Sequence, residues 1–372
     1  MLALALVAVA CSQGQEGTDR AAVSVPAVSG RPEAVAAGSI HARAVATGLN
    51  FPGAFTFAKS GRIYYGERSS GRIVVLDPRT GGHHLFFQVT NVVSNGEQGL
   101  LGVALPPGYP KAPFVYAYAT RNVSGTLRNQ IVRIRNVGGR GQSMSVIFTS
   151  STVAGDYHDG GRIQFGPGGN LYAVVGESHN SANAQNLSVP SGKILRMTPS
   201  GGIPKNPPIP GTRIYAYGIR NSYGFDFDPA THRLWETENG PECNDEVNRI
   251  VAGRNFGWGP NENCNGTSPY DTNNSGPKPR ILPKRWYTPT IAPTGLVFCR
   301  KCGLGAASNG KFFFGAYNTG DIRRVKLTPN RLGVAHQTVV LTRGNGILSM
   351  ETSPNGHLYF SDSQGIYRLV LA

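Results

Sequence analysis

The chain has 372 residues, including 49 Gly and 26 Pro, with 40% hydrophobic and only 15% charged residues; this describes many short strands joined by tight turns and excludes a protein built on long helices. The formal charge of +15 is the kind that attracts nucleic acid, yet Lys and Arg are scattered along the sequence. With no helix-turn-helix, zinc-finger or RNA-binding signature, nucleic acid is excluded as a partner and a basic, solvated surface is left.

The first element is an apolar run from Leu2 to Ala10 ahead of Cys11, followed by a polar, Ala-rich stretch. The pattern resembles a bacterial lipoprotein signal, in which the cysteine after small residues becomes the lipidated first residue. Residues 1–11 are therefore read as an export signal ending at Cys11, the one expected link to a membrane, and the protein as exported and lipid-anchored at the outer face of the cell membrane. The run is far too short to span a bilayer. Residues 12–42 read as a flexible tether, poor in aromatic residues and in periodic pattern. Residues 43–372 form a single body with ample chain to bury a core.

Within that body a unit recurs: a turn Gly, a short apolar strand, a second Gly turn, then a strand ending in Arg or Lys. It reads Gly61-Arg-Ile-Tyr-Tyr then Gly71-Arg-Ile-Val-Val, and Asn170-Leu-Tyr-Ala-Val-Val then Gly192-Lys-Ile-Leu-Arg. It returns at Gly310 with Gly320 and at Gly356 with Gly365, and less regular copies lie at Phe114 to Ile134 and Arg233 to Ile250. About six copies at this spacing predict an all-β, six-bladed β-propeller of four-stranded antiparallel blades, whose loops meet at the mouth of a central channel. A β-sandwich explains the repetition poorly.

After Cys11, four cysteines remain: Cys243, Cys264, Cys299 and Cys302. An even number in an exported chain points to disulfides, most simply Cys243 with Cys264 and Cys299 with Cys302. A zinc site is the alternative, weakened by a single CxxC and no paired His. Spacing alone does not fix the connectivity.

The informative loops run from Gly96-Glu-Gln-Gly-Leu-Leu-Gly through Asp156-Tyr-His-Asp-Gly-Gly-Arg, Ile214-Tyr-Ala-Tyr-Gly-Ile-Arg-Asn and Trp235-Glu-Thr-Glu-Asn-Gly-Pro to Gly253-Arg-Asn-Phe-Gly-Trp-Gly. His158 is the candidate base, because neutral imidazole takes a hydroxyl proton near neutral pH; a lone His in a polar loop is more often structural. Arg220 and Asn221 follow a predicted strand, Ile214 to Tyr217, where a guanidinium can hold developing negative charge. The plainer reading is a turn-stabilising Arg with an Asn in left-handed geometry. The Gly240-Pro241 turn, with Asp245 and Glu246 beyond it, offers the oxygen ligands that calcium prefers, although by itself it is ordinary loop chemistry.

In this order and spacing the segments resemble the glucose/sorbosone dehydrogenase family, which includes soluble pyrroloquinoline-quinone (PQQ) glucose dehydrogenase and bacterial aldose dehydrogenases, over nearly the whole body after Arg43. The resemblance implies PQQ and Ca2+ as cofactors, oxidation of the anomeric C1 hydroxyl of an aldose to the lactone, and an external electron acceptor. It gives His158 and Arg220 catalytic roles, with His158 taking the C1 hydroxyl proton and Arg220 and Asn221 gripping the quinone. The carbonyls of Gly240 and Pro241, beside Asp245, are implied to hold calcium. Asp159, Gly160, Gly161 and Arg162 are read as loop-shaping residues, with Arg162 in a structural ion pair.

Departures accompany the matches. Glu97 stands where the family has a sugar-side Gln, Asn239 where it has Gln before Gly-Pro, and Ser222-Tyr223 where it has Pro-Gln. Asn318 replaces a Lys that pairs with the cofactor, and Gly346 and Leu348 fall where an Arg-x-Arg pair is expected. Arg343, Arg323 and Arg324 are candidate substitutes for the lost cations. A non-catalytic sugar- or protein-binding propeller that has lost PQQ is therefore the alternative to an enzyme.

Overall fold

The computed structural model describes residues 38–260, 264 and 276–372; Cys11 and most of the expected tether lie outside them. Short apolar runs between Gly turns become strands, and these form six four-stranded antiparallel sheets. The chain enters as β1 (Ile40–Thr47), whose first residues fall within the stretch read as tether. Blade 1 is β2 (Pro52–Phe57), β3 (Ile63–Glu67), β4 (Arg72–Leu76) and β5 (His83–Gln88), and blade 2 is β6 (Leu100–Ala104), β7 (Phe114–Val123), β8 (Thr126–Val137) and β9 (Arg140–Thr149). Blade 3 comprises β10 (Ile163–Phe165), β11 (Leu171–Val175), β12 (Lys193–Met197) and β13 (Ile214–Tyr217), with the short helix α1 (Ala182–Gln185) between β11 and β12. Blade 4 is β14 (Ser222–Phe227), β15 (Leu234–Glu238), β16 (Asp245–Ile250) and β17 (Arg285–Tyr287), and blade 5 is β18 (Pro293–Phe298), β19 (Phe312–Ala316), β20 (Asp321–Leu327) and β21 (Val334–Thr342).

Blade 6 joins the two ends of the described chain. Its inner strands are β22 (Ser349–Thr352), β23 (Leu358–Ser361) and β24 (Gly365–Leu371), and β1 supplies the fourth, pairing from Ile40 with Leu371 to Thr47 with Gly365. Closing the ring with the first strand covers the edge of β24 and ties the two ends of the described chain together in one sheet.

Apolar layers between neighbouring blades hold the ring together. Ile73 and Phe86 of blade 1 pack with Val115 and Val132 of blade 2; Trp235 and Val247 of blade 4 pack with Phe312 and Phe314 of blade 5. The first strand of each blade lines the channel and runs close to its neighbour's. On β14 the register shifts between Ser222 and Gly224, and a Cβ on Gly224 would lie 2.0 Å from the carbonyl oxygen of Thr294 on β18. A similar shift on β6 precedes Gly102, where a Cβ would lie 2.2 Å from the Gly161 carbonyl. Such bulges at the mouth end re-aim the side chains beside them, Tyr223 among these.

Both expected disulfides are present, Cys243 with Cys264 and Cys299 with Cys302, which removes the zinc alternative. Among the described residues no helix is long and apolar enough to cross a membrane.

The close approach of the inner strands predicts that Gly224→Ala destabilises the protein by at least about 2 kcal/mol, because the clash is with backbone that cannot rotate away. Urea denaturation measures it, with Gly168→Ala as a comparison at a turn where a Cβ meets nothing within 4 Å and the backbone is not left-handed.

Candidate active site

In every blade the first strand runs away from the mouth, so the mouth is built by the loops between blades and by those joining second to third strands. His158 lies in the loop between blades 2 and 3, Arg220 and Asn221 in that between blades 3 and 4, and Asn239, Gly240 and Pro241 between β15 and β16. Hydrogen bonds bring them together. The Glu97 carboxylate oxygen Oε2 accepts the backbone N–H of His158 at 2.8 Å and the Asn221 side-chain amide at 3.0 Å. Asn221 Oδ1 in turn accepts the N–H of Gly160 at 3.1 Å, and its backbone carbonyl accepts the N–H of Asn239 at 2.8 Å. Arg220 Nη1 donates to the Asn239 carbonyl at 3.0 Å.

His158 is buried, with a positive φ of 63°. The facing strand leaves it room through Gly176, where a Cβ would meet the His158 carbonyl oxygen at 2.1 Å. Its Nδ1 bonds to Glu177, a fully buried carboxylate at the end of β11. Burial pushes the Glu177 carboxyl up to about 7, with the Arg220 guanidinium acting in the opposite sense. Sequence reasoning passed over Glu177; a carboxylate directly after the strand Leu171 to Val175 and Gly176, in the blade that follows the His158 loop, was the signal available.

The rest of the His158 segment is structural. Asp159 is buried, accepts from Asn129 at 2.7 Å and is raised to about 7 by desolvation. Arg162 pairs with Glu351 at 2.5 Å. Because Arg162 precedes blade 3 and Glu351 belongs to blade 6, on opposite sides of the ring, that ion pair ties the channel walls together beneath the mouth.

The Gly240-Pro241 turn is held from behind by Asp245, whose Oδ1 accepts the Gly240 N–H at 2.8 Å and whose Oδ2 accepts those of Ile291 and Ala292 at 2.6 and 2.8 Å. In this structure Asp245 therefore fixes the backbone of the turn. Among the described residues no group of three or more His, Cys, Asp and Glu is arranged to hold a metal, so calcium at this turn would rest on the carbonyls of Gly240 and Pro241 and on the cofactor.

The C-terminal departures have physical consequences. Asn318 is exposed, and its backbone N–H bonds to Ile291. The Tyr317 ring covers Gly346, where a Cβ would meet it at 2.5 Å; Leu348 is half-buried. The suggested substitutes already have protein partners. Arg343 pairs with Asp362 at 3.3 Å and stacks on Tyr367, Arg323 pairs with Asp321 at 2.9 Å, and Arg324 bonds to Ser308. The cation that sequence reasoning missed is Arg68, after β3. It is half-buried, donates to the carbonyls of Gly96 and Gln98, and lies near Tyr223, Tyr317 and Glu97.

The sequence profile of the Glucose / Sorbosone dehydrogenase family matches residues 49–370. The chain belongs to this family. It is 28% identical over 297 residues to an aldose sugar dehydrogenase of Escherichia coli, covering 73% of this chain and 76% of that one. It is 29% identical over 247 residues to quinoprotein glucose dehydrogenase B of Acinetobacter calcoaceticus, covering 58% and 52% respectively. The solved PQQ-bound aldose sugar dehydrogenase of Streptomyces coelicolor superposes with a TM-score of 0.77 at 28% identity, over 90% of this chain and 98% of that one.

Behind Arg220 lies a buried acidic group that the mouth does not use. Glu238 accepts the Arg220 backbone N–H, and Asn248 donates to Glu238 at 3.3 Å and to Glu246 at 2.9 Å. Fully buried Glu236, in the same sheet, is pushed up to about 8 by desolvation and by Glu246. An unfolded glutamate titrates near ~4.3, so between these limits the folded protein holds the extra proton and stability falls as pH rises. The melting temperature is expected to drop from pH 5 to pH 8, and Glu236→Gln is expected to flatten that slope in thermal melts recorded across the range.

Proposed function

We propose that this family member is a PQQ- and Ca2+-dependent aldose dehydrogenase that oxidises the anomeric C1 hydroxyl to the lactone and delivers the electrons to an external acceptor. The observation that carries the reading is the buried Glu177 behind His158, because a base oriented by a desolvated carboxylate serves proton transfer and gives a merely sugar-binding mouth nothing. Bound at the mouth, PQQ would supply the two-electron acceptor for the substrate hydride.

The donor set suits that cofactor. Arg220 Nε and Asn239 Oδ1 are buried with no protein partner, so polar atoms of a planar acceptor have groups to meet. Arg220 and Asn221 would hold the quinone oxygens, Arg68 would face a cofactor carboxylate in place of the cations lost at Asn318, Gly346 and Leu348, and Gly240 and Pro241 would offer carbonyls to calcium. Glu177 keeps Nδ1 of His158 protonated and stabilises the imidazolium that forms as the ring takes the C1 hydroxyl proton. Tyr223, which accepts from Asn221 at 3.2 Å, would alter a contact to the cofactor where the family has Gln. Export fits the two disulfides, bonds typical of oxidising compartments, and Cys11 is the proposed lipid anchor.

Reconstituted with PQQ and calcium, the protein should reduce an artificial dye at the expense of an aldose, and His158→Ala should lower kcat by at least about a hundredfold. Unchanged turnover in that variant would remove His158 from the chemistry. A second expectation is a pH profile of kcat/KM that rises through about 7, since below it Glu177 is protonated and His158 loses its anionic partner. Glu177→Gln should lower kcat by about tenfold or more while moving KM little, and should displace that acid limb.

A further inference from the structure

Lys and Arg look scattered in sequence, but the alternation of strand direction sorts them by face. The face opposite the mouth is built by the turns joining first to second and third to fourth strands. Exposed there are Lys59 and Arg62 of blade 1, Lys111 of blade 2, Lys205 of blade 3, and Arg300 and Lys301 of blade 5. Among the described residues, the acidic side chains in these turns are Asp77 and Asp228. Each is already paired, with Arg79 at 2.9 Å and Arg331 at 2.6 Å. The carboxylates of the loops are otherwise on the mouth side, as at Glu97, Asp156, Glu177, Glu242 and Asp362.

Two further observations bear on what this face meets. Aliphatic tips stand among the cations: Ile203 is 44% exposed, Val137 40%, Leu332 39% and Leu371 39%. The chain also enters here, since the Gly38 N–H bonds to the Ala372 carbonyl at the outer end of the β1 and β24 pair. The segment that carries Cys11 therefore joins the propeller on the basic face.

We propose that this face docks on an anionic phospholipid surface, with the mouth directed away from the bilayer and open to soluble sugar. Cations draw the face to anionic headgroups, and the aliphatic tips reach the headgroup boundary, as in other interfacial proteins. A soluble polyanion would use the same charges but would have no use for exposed Ile203 and Leu332. The inference is independent of cofactor chemistry, because it concerns residues remote from the mouth.

Sedimentation with vesicles tests it, using the full chain with Cys11→Ser so that no lipid anchor contributes. At about 0.1 M salt, where surface charges act over roughly 10 Å, the protein should bind vesicles of phosphatidylglycerol mixed with phosphatidylcholine and not phosphatidylcholine alone. Lys205→Glu with Lys301→Glu should weaken binding at least tenfold, whereas the same charge change at the mouth end, Arg72→Glu with Arg128→Glu, should weaken it far less. Ile203→Ser should weaken vesicle binding and leave retention on heparin unchanged. Absence of binding, equal loss in the two charge-reversed pairs, or vesicle binding indifferent to Ile203→Ser would each overturn the proposal, the last in favour of a soluble polyanion. Thermal melts of each variant establish that it is folded.

Discussion

One carboxylate oxygen, Oε2 of Glu97, accepts the backbone N–H of His158 and the side-chain amide of Asn221, and so joins loops that belong to three successive gaps between blades. A propeller ring places such loops near one another but leaves each without a fixed conformation of its own, because its core lies between the blades rather than at the mouth. The Glu97 contacts supply that missing constraint. They hold His158 at a positive φ of 63°, which a non-glycine residue keeps only when its surroundings over-determine it. They also orient Asn221, whose amide oxygen accepts the Gly160 N–H. Where relatives are expected to use a neutral Gln, the charge of Glu97 makes these bonds stronger.

Below that layer the channel is closed by charge rather than by apolar packing. Arg162 and Glu351 meet across the axis, with Asp226 close enough to raise Glu351 further. A buried ion pair contributes less to stability than its Coulomb attraction suggests, because both groups are desolvated. Its effect here is positional: it fixes blade 3 against blade 6 directly beneath the mouth. The Glu177 to His158 pair extends the same polar interior upward to the mouth.

The fold was legible because each blade repeats the same turn glycine and apolar strand, and the ring predicted from those copies is the one observed. Strand parity within that ring then explains why His158, Arg220, Asn221 and Gly240 converge although they are far apart in sequence. Glu177 and Arg68 were hard to pick out as candidate site residues: Glu177 is marked only by its place after a strand in the blade that follows the His158 loop, and nothing in Gly66-Glu-Arg distinguishes Arg68 from an ordinary strand end. Their importance comes from burial and from what faces them across the mouth. Arg343, Arg323 and Arg324 lie close in sequence to the lost cations, but local acids, a serine hydroxyl and an aromatic ring already hold them. The basic face was hidden for a related reason, because residues scattered along the chain are gathered only by the alternation of strand direction.

We propose that a mouth lacking the family's C-terminal cations still accepts the quinone through Arg220, Asn221 and Arg68. Calorimetric titration of PQQ into the apo-protein with calcium present addresses it without requiring turnover. Saturable binding of one PQQ per chain is expected, weakened at least about tenfold by Arg68→Ala and more by Arg220→Ala, as when a charged partner of a carboxylate or quinone oxygen is lost. Absence of binding, or binding unaffected by either substitution, would contradict it and leave a propeller that keeps the family fold without the family cofactor.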